Sequence, residues 1–162
     1  MPIKQGDLTL LNDPVAQELL HSTIPARLAY IGRDGTPRGG PIWFHWNGVE
    51  VVLGPPLHAL KGQALVQHPK VALSIDSDTR PYKVLPIRGT AQVETVQGMV
   101  PEYAAATQRY LGAEPERVAH HLEQTRTRFP HMARMVIRPE WVGVIDFATR
   151  FPGVVAAARS RA

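Results

Sequence analysis

Cysteine is missing from this chain of 162 residues. Disulfide bridges, thiolate metal sites and cysteine nucleophiles are therefore excluded. Long apolar runs are missing as well, because no stretch approaches the ~20 residues that a membrane-spanning helix needs. The N-terminus, from Met1 to Asp7, carries no apolar run and does not resemble a signal peptide. We therefore expect a cytoplasmic protein.

The sequence also lacks the short motifs of several common enzyme classes. It contains no GxGxxG or GxxxxGK[ST] pattern, so the usual dinucleotide and P-loop phosphate sites are absent. No serine stands in a GxSxG turn, and the seven histidines include no HExxH pair. His120 and His121 are adjacent, so on a helix they point about 100° apart and do not readily bind one ion together. We predict no metal site and name no catalytic residue.

Acidic residues are fewer than basic ones. Eighteen Lys and Arg against fourteen Asp and Glu leave a formal net charge of +4. Such an excess attracts nucleic acid or anionic small molecules. The positive charges are scattered singly, except around Arg126, Arg128, Arg134 and Arg138 and in the tail. No basic helix face or ladder of aromatic and basic residues stands out, so nucleic acid is not an expected partner.

The most informative stretch that is present predicts a β-hairpin. From Ile42 to Trp46 the residues are aromatic or β-branched apart from His45, which is typical of a strand. Asn47-Gly48 then predicts a tight type I′ turn, with residues 49–53 returning as the partner strand.

The outgoing strand carries large side chains on both faces. Ile42, Phe44 and Trp46 share one face, while Trp43 and His45 share the other. Both faces are therefore expected to be covered, one by the core and the other by a second core, a partner or a ligand. Since a single barrel of this size buries only one of these faces, we also predict a homodimer. The rings could stack on a planar ligand, although aromatic residues at strand spacing are more often core.

The remaining pattern predicts short strands with helices inserted among them. Asp13-Pro14 predicts a helix start, because Asp is a good N-cap and Pro suits the first helical position. Strands are predicted at 27–31, 38–46, 49–53, 71–76, 82–96, 132–138 and 141–147, and helices at 57–67 and twice between 100 and 129. Breaks are expected at Pro86, Gly89 and Pro139. This order indicates a mainly β fold, a single domain over residues 1–162 with a barrel at about 25–147 and a flexible tail at 156–162.

One phosphate-binding candidate remains. Lys61 lies near the start of a helix that follows Gly54-Pro55-Pro56. Free backbone N–H groups, the helix dipole and an ammonium group together favour an anion. The residues alone also allow a second interpretation, in which Lys61 is a solvated lysine on a surface helix. On the residues alone, this second interpretation is favoured.

Several short segments occur in an order that is more specific than any one of them. They are residues 26–31, 34–38 and 41–44, Lys61 ahead of 68–73, Ile87-Arg88-Gly89, and Ile137-Arg138-Pro139 with Trp141. In this order the chain resembles the pyridoxamine 5′-phosphate oxidase-like family, the FMN-binding split barrels. That family includes reductases that use the deazaflavin coenzyme F-420. The resemblance implies a six-stranded antiparallel split β-barrel that forms a homodimer, with two cofactor sites at the subunit interface.

The resemblance also implies where the cofactor lies. The segment from Pro41 to Phe44 would follow the flavin ring, largely through its backbone, and Lys61 would hold the phosphate. Arg88 would face the same cleft from a later strand. The cofactor-binding residues expected on this basis are Pro41, Ile42, Trp43, Phe44, His58, Lys61, Arg88 and Trp141.

The chain departs from the family pattern beside Lys61. Ala59 and Leu60 replace the usual hydroxyl residue and arginine, so two phosphate ligands are missing. Each charge-assisted hydrogen bond contributes ~1.5–3 kcal/mol, so the loss weakens FMN binding unless His58, Arg38 or Lys83 compensates. The resemblance implies an FMN-dependent oxidoreductase that transfers hydride to a small organic substrate. The alternatives are a deazaflavin-dependent reductase and a non-catalytic flavin-binding or storage barrel.

Overall fold

The computed structural model describes residues 4–150. Within them the helices are a 3-10 helix at Leu8–Asn12, α1 (Pro14–Leu20), α2 (Leu60–Gln67), α3 (Pro101–Leu111) and α4 (Pro115–Arg128). The strands are β1 (Ala26–Ile31), β2 (Pro37–Ile42), β3 (His45–Trp46), β4 (Val51–Leu53), β5 (Lys70–Asp76), β6 (Lys83–Gln97), β7 (His131–Val142) and β8 (Ile145–Asp146). The tail predicted at 156–162 lies outside the described residues.

All of these strands join one antiparallel sheet. Their order is β2-β1-β5-β6-β7-β4-β3, and β8 pairs with β6. β2 and β3 stand at opposite ends of this order, yet only Trp43 and Phe44 separate them along the chain. Three Cα–Cα steps span at most ~11 Å, so the two ends of the sheet must lie close together. The sheet therefore curves into the mainly β split barrel that the sequence predicts, with eight described strands in place of six.

The prediction of a single strand at residues 38–46 is wrong. β2 ends at Ile42, where it pairs with β1, and β3 begins at His45, where it pairs with β4. Between them the chain leaves one edge of the sheet and joins the other. Trp43 and Phe44 therefore belong to neither ladder, and we call this pair the crossover.

The turn that follows β3 also differs from the prediction. Gly48 has a positive φ of 96°, but Asn47 does not, so the turn is not type I′. The Oδ1 atom of Asn47 instead accepts from the backbone N–H of Val49 at 2.9 Å and of Glu50 at 2.7 Å. The side chain of Asn47 thus closes a four-residue loop, and β4 begins at Val51 rather than Val49.

β6 and β7 run on through the three positions where breaks are expected. The ladder register shifts between Arg88 and Gly89, and Gly89 lies opposite Pro139. A Cβ atom on Gly89 would lie 2.2 Å from the carbonyl oxygen of Arg138, so this irregularity requires glycine. A bulge is one of the few places where a paired strand accepts proline. The ladder therefore continues, and it sets Arg88 opposite Trp141.

The barrel interior is filled by apolar side chains that alternate along the strands. Fully buried examples are Leu28 on β1, Leu73 on β5, Ile87 on β6 and Ile137 on β7, joined by Leu19 and Leu20 of α1 and by Phe44. This is one of the two layers expected around residues 42–46.

The second layer comes from the chain's own helices. The indole of Trp43 stacks on the ring of Tyr110 in α3, with centroids 4.8 Å apart and planes 6° from parallel. The imidazole of His121 in α4 lies at 5.6 Å from the same indole. Rings on both faces of this segment are therefore covered within one chain, and they do not require a dimer.

Candidate functional site

An open groove of about 630 Å³ lies on the outer side of the sheet. It is lined by Ala29, Tyr30 and Ile31 of β1, Pro37 and Arg38 of β2, Lys70, Val71 and Ala72 of β5, Arg88 and Gly89 of β6, and Glu140 and Trp141 of β7. Its volume lies within the range of small-molecule sites, ~300–1,000 Å³. The walls are mostly apolar, and three cationic side chains open onto them.

The groove contains a stacked pair formed by Arg88 and Trp141. The guanidinium carbon of Arg88 lies 4.0 Å from the centroid of the indole, which is favourable cation–π geometry. The N-terminal segment packs against the same indole, because a Cβ on Gly6 would lie 2.7 Å from its Nε1 atom. Gly6 is also bonded to the strand end, its N–H donating to the carbonyl of Val142 at 2.8 Å. The indole thus contacts both the guanidinium of Arg88 and the backbone at Gly6.

The other two cations of the groove are neutralised. The ammonium of Lys70 lies 2.7 Å from a carboxylate oxygen of Glu140, and the guanidinium of Arg38 lies 2.8 Å from Asp34. The hydrogen bond from Lys70 lowers the pKa of Glu140. Hydrogen bonds from Thr36, with help from Arg38, lower the pKa of Asp34 to about 2. Both carboxylates are therefore charged at neutral pH.

Arg88 differs from these two cations. Among residues 4–150 no carboxylate forms an ion pair with it. Its positive charge is thus the one in the groove that the described part of the chain leaves without a counter-ion. An anionic group on a ligand would find its partner here.

A smaller pocket of about 140 Å³ continues the groove towards α2. It shares Tyr30 and Arg38 with the groove, and Leu60 and Ala64 of α2 form its far side. Helix α2 begins at Leu60, three residues later than predicted. Its N-cap is Ala59, which forms no side-chain hydrogen bond to the first turn.

Lys61 lies in this first turn and is half-buried. Within the described residues its ammonium forms no ion pair, and His58 just before the helix is exposed. Neither side chain lines the groove or the smaller pocket. The structure therefore places the expected phosphate seat beside the groove rather than in it.

The expected cofactor residues fall into three places. Arg88 and Trp141 meet in the groove, and His58 and Lys61 flank the start of α2. Pro41 is exposed and Ile42 half-buried at the end of β2, whereas Trp43 and Phe44 turn their rings into the protein. None of these four residues lines the groove or the smaller pocket.

Sequence reasoning missed Tyr30, Lys70 and Glu140 as groove residues. The alternation along β5 carries a signal for one of them, because Lys70 and Ala72 face outward where Val71 and Leu73 are buried. Nothing in the sequence shows that this outward face meets those of β1 and β7.

The groove residues fit a flavin-type cofactor. A planar ring system requires an apolar floor and an aromatic or cationic neighbour, which Ala29, Ala72 and the Arg88–Trp141 pair provide. A phosphate requires a cation or free backbone N–H groups, which are found at Arg88 and at the first turn of α2.

Among residues 4–150 no three His, Asp or Glu side chains lie close enough to hold a metal ion. In the same range no helix has the length and apolar character needed to cross a membrane.

Several proteins of known structure are similar to this one. An F-420 reductase is 25% identical, with a TM-score of 0.60 over 78% of this chain and 94% of that one. A conserved hypothetical protein from Mycobacterium tuberculosis is 19% identical, with a TM-score of 0.66 over 90% and 91%. HutZ, a heme storage protein from Vibrio cholerae, is 15% identical, with a TM-score of 0.56 over 83% and 93%. The last two show the fold alone.

No protein of curated function matches the sequence. The family match, in contrast, extends from the start of α1 to β8, so it includes every strand of the barrel and all the groove residues. Residues 13–146 match the pyridoxamine 5′-phosphate oxidase family, and the chain therefore belongs to it.

Proposed function

We propose that this protein is an FMN-dependent oxidoreductase that binds its cofactor along the groove and acts on a small organic substrate. The observation that carries the proposal is the Arg88–Trp141 pair, which sits in an apolar groove of about 630 Å³ with its positive charge unpaired among the described residues. Family membership supports the same conclusion.

Each part of the site has a role in this proposal. The alanines of β1 and β5 exclude water from the ring. Arg88 attracts an anionic group of the cofactor or of the substrate, and Lys61 with the first turn of α2 binds the phosphate. When bound, the flavin supplies hydride transfer, while the protein supplies position and polarity.

A deazaflavin is the second candidate cofactor, and two observations favour it. Ala59 and Leu60 offer neither a hydroxyl nor a guanidinium to the FMN phosphate, and Leu60 is 69% exposed at the place where an arginine would help. A 25% identical structure is an F-420 reductase. A barrel that stores a cofactor without catalysis is the remaining alternative.

We also propose a homodimer whose partner subunit closes the groove. The groove is open and mostly apolar, and Leu60 of α2, which lines the adjoining smaller pocket, is 69% exposed. Soluble monomers rarely expose large apolar patches. Light scattering of the purified protein tests this directly, and a monomer at micromolar concentration would refute it. We separately propose that the protein is cytoplasmic.

A paired titration tests the cofactor. Purified protein is titrated with FMN and separately with the deazaflavin, following the visible absorbance and fluorescence of each. We expect saturable binding of FMN, and tighter binding of the deazaflavin would favour the second candidate. Cofactor that binds but is never reduced or oxidised by any nicotinamide or small-molecule partner would favour storage. If neither cofactor binds, the proposed function is wrong.

A further inference from the structure

The smaller pocket of about 140 Å³ has two arginines among its lining residues. Arg33 belongs to the turn between β1 and β2, and Arg38 lies on β2. Leu60, in the first turn of α2, borders the same pocket. Because Tyr30 and Arg38 line both cavities, the pocket is continuous with the groove. One end of a ligand in the groove can therefore extend to these arginines.

Arg33 brings an unbalanced positive charge to this pocket. Among residues 4–150 no carboxylate forms an ion pair with it. Its Nη1 atom donates to Oε1 of Gln63 on α2 at 2.9 Å, which holds the side chain between the turn and the helix. A guanidinium has five N–H donors, so the others remain for a ligand.

Arg38 brings donors that are fixed in position. Its Nη2 atom donates to Oδ2 of Asp34 at 2.8 Å, so its charge is balanced. The other oxygen of Asp34 accepts from the N–H and the hydroxyl of Thr36, at 3.1 and 2.7 Å. Gly32 leaves the space that the guanidinium occupies, because a Cβ atom there would lie 2.6 Å from Nε of Arg38. The carboxylate and the glycine together hold Arg38 at the mouth of the pocket.

We propose that the smaller pocket binds the phosphate group of the cofactor, with Arg33 and Arg38 as its donors. This inference rests on the proposed function, because it needs a phosphorylated ligand in the groove. Two guanidinium groups against one carboxylate leave the lining with a surplus of positive charge. Guanidinium groups also match phosphate oxygens with paired N–H donors.

The two arginines supply donors that the first turn of α2 lacks. Ala59 and Leu60 offer neither a hydroxyl nor a guanidinium, and Ala59 forms no side-chain cap. Of the three side chains that could compensate, Arg38 is the one that lines either cavity. The ammonium of Lys83 is instead paired with Glu18 at 2.6 Å.

A comparison of FMN with riboflavin tests the phosphate contact. Riboflavin is FMN without its phosphate, so the ratio of the two dissociation constants measures what the phosphate contributes. Wild-type protein should bind FMN more tightly, and added salt should reduce this preference. Arg33→Gln should reduce it about tenfold by weakening FMN alone, the effect of losing a charge-assisted hydrogen bond. Quenching of flavin fluorescence measures both constants.

Two further variants complete the comparison. Gly32→Ala displaces the guanidinium of Arg38 without changing any charge, and it should reduce the preference for FMN severalfold. If this variant does not fold, Arg38→Lys, which keeps the charge but loses the planar fork, takes its place. Arg128→Gln is the control, because it removes an exposed arginine that lines neither the groove nor the smaller pocket. Both dissociation constants should stay unchanged in it.

The outcomes separate this inference from the proposed function. Wild-type protein that binds neither the flavins nor the deazaflavin refutes the proposed function, and the phosphate site falls with it. Equal affinity of the wild type for FMN and riboflavin refutes the phosphate site alone. A preference for FMN that persists in Arg33→Gln also refutes it, because the phosphate then lies elsewhere. If the deazaflavin binds instead of FMN, it is compared in the same way with its phosphate-free core.

Discussion

Arg88 and Arg109 both stack on aromatic rings, and they have opposite roles. Arg88 lies 4.0 Å from the indole centroid of Trp141 in an open groove. Arg109 lies 4.7 Å from the ring centroid of Phe44 beneath helix α3. The first is exposed and forms no ion pair within residues 4–150, whereas the second is half-buried and donates to two backbone carbonyls.

The difference shows that stacking alone does not identify a binding residue. A guanidinium has five N–H donors, and their partners decide its role. Where backbone carbonyls take them, the arginine holds the fold together. Where the chain offers none, the donors remain for a ligand. Removal of each arginine should therefore affect a different property.

Removal of Arg109 should give the largest effect. Arg109→Ala leaves the carbonyls of Phe44 and Ser22 without their charged donor, so we expect the free energy of unfolding to fall by about 3 kcal/mol. Urea denaturation followed by circular dichroism measures this. Arg88→Ala should change the same quantity by less than about 1 kcal/mol, because only a surface stack is lost. Similar losses for the two variants would contradict the distinction.

Removal of Lys61 should act on binding rather than on folding. If the phosphate lies at the start of α2, Lys61→Ala weakens cofactor binding by about 1.5–3 kcal/mol, or roughly ten- to a hundredfold. The melting temperature of the cofactor-free protein should barely change. Leu60→Arg should strengthen binding by adding a two-pronged phosphate donor. Wild-type affinity in Lys61→Ala for both FMN and the deazaflavin would place the phosphate elsewhere.

Removal of Arg88 should weaken binding by a smaller amount. Arg88→Ala deletes the unpaired cation of the groove, and we expect about tenfold weaker cofactor or substrate binding by isothermal titration. Arg88→Lys should recover only part of this, since lysine keeps the charge without the flat stack. Arg128→Ala, on the far end of α4, should leave binding unchanged. An unaffected Arg88→Ala variant would exclude this side chain from the site.

The smallest expected effect is on protein stability at acid pH, and it concerns Glu102 on α3. Hydrogen bonds from Arg134, at 2.6 and 3.0 Å, lower the pKa of Glu102 on α3 below its ordinary 4.5. A carboxylate with a lowered folded-state pKa stabilises fully above its unfolded value and loses that contribution as pH falls through the folded one. Glu102→Gln should therefore cost about 1 kcal/mol at neutral pH and make the decline in melting temperature below about pH 4.5 shallower. Parallel curves for the two proteins would refute this role.

The secondary structure could largely be predicted, because its signals are local. Asp13 caps α1 as expected, and Gly112 follows the last residue of α3. The crossover could not be predicted in the same way. The aromatic pattern of residues 42–46 is the same whether the segment pairs within one ladder or is divided between two. The sequence of a strand does not specify which strand it pairs with.

The site could be predicted only in part, for a related reason. Arg88 and Trp141 were expected through the family resemblance, whereas Lys70 and Glu140 meet only once the register of three strands is set. Arg109 looks like any solvated arginine on a helix. The two carbonyls that it binds lie 87 and 65 residues away along the chain, beyond the reach of a periodic pattern.

Helices α3 and α4 form an insertion between β6 and β7, and the two ends of this insertion lie side by side. Gln97 pairs with His131, and the N–H of Gly98 donates to the carbonyl of Pro130 at 2.8 Å. A short turn could therefore join β6 directly to β7 without disturbing the ladder. The two helices are thus not needed to connect these strands. Its removal would uncover the indole of Trp43. Shortening this connection by engineering would thus call for a compensating change at residue 43, because the indole would otherwise lose its cover.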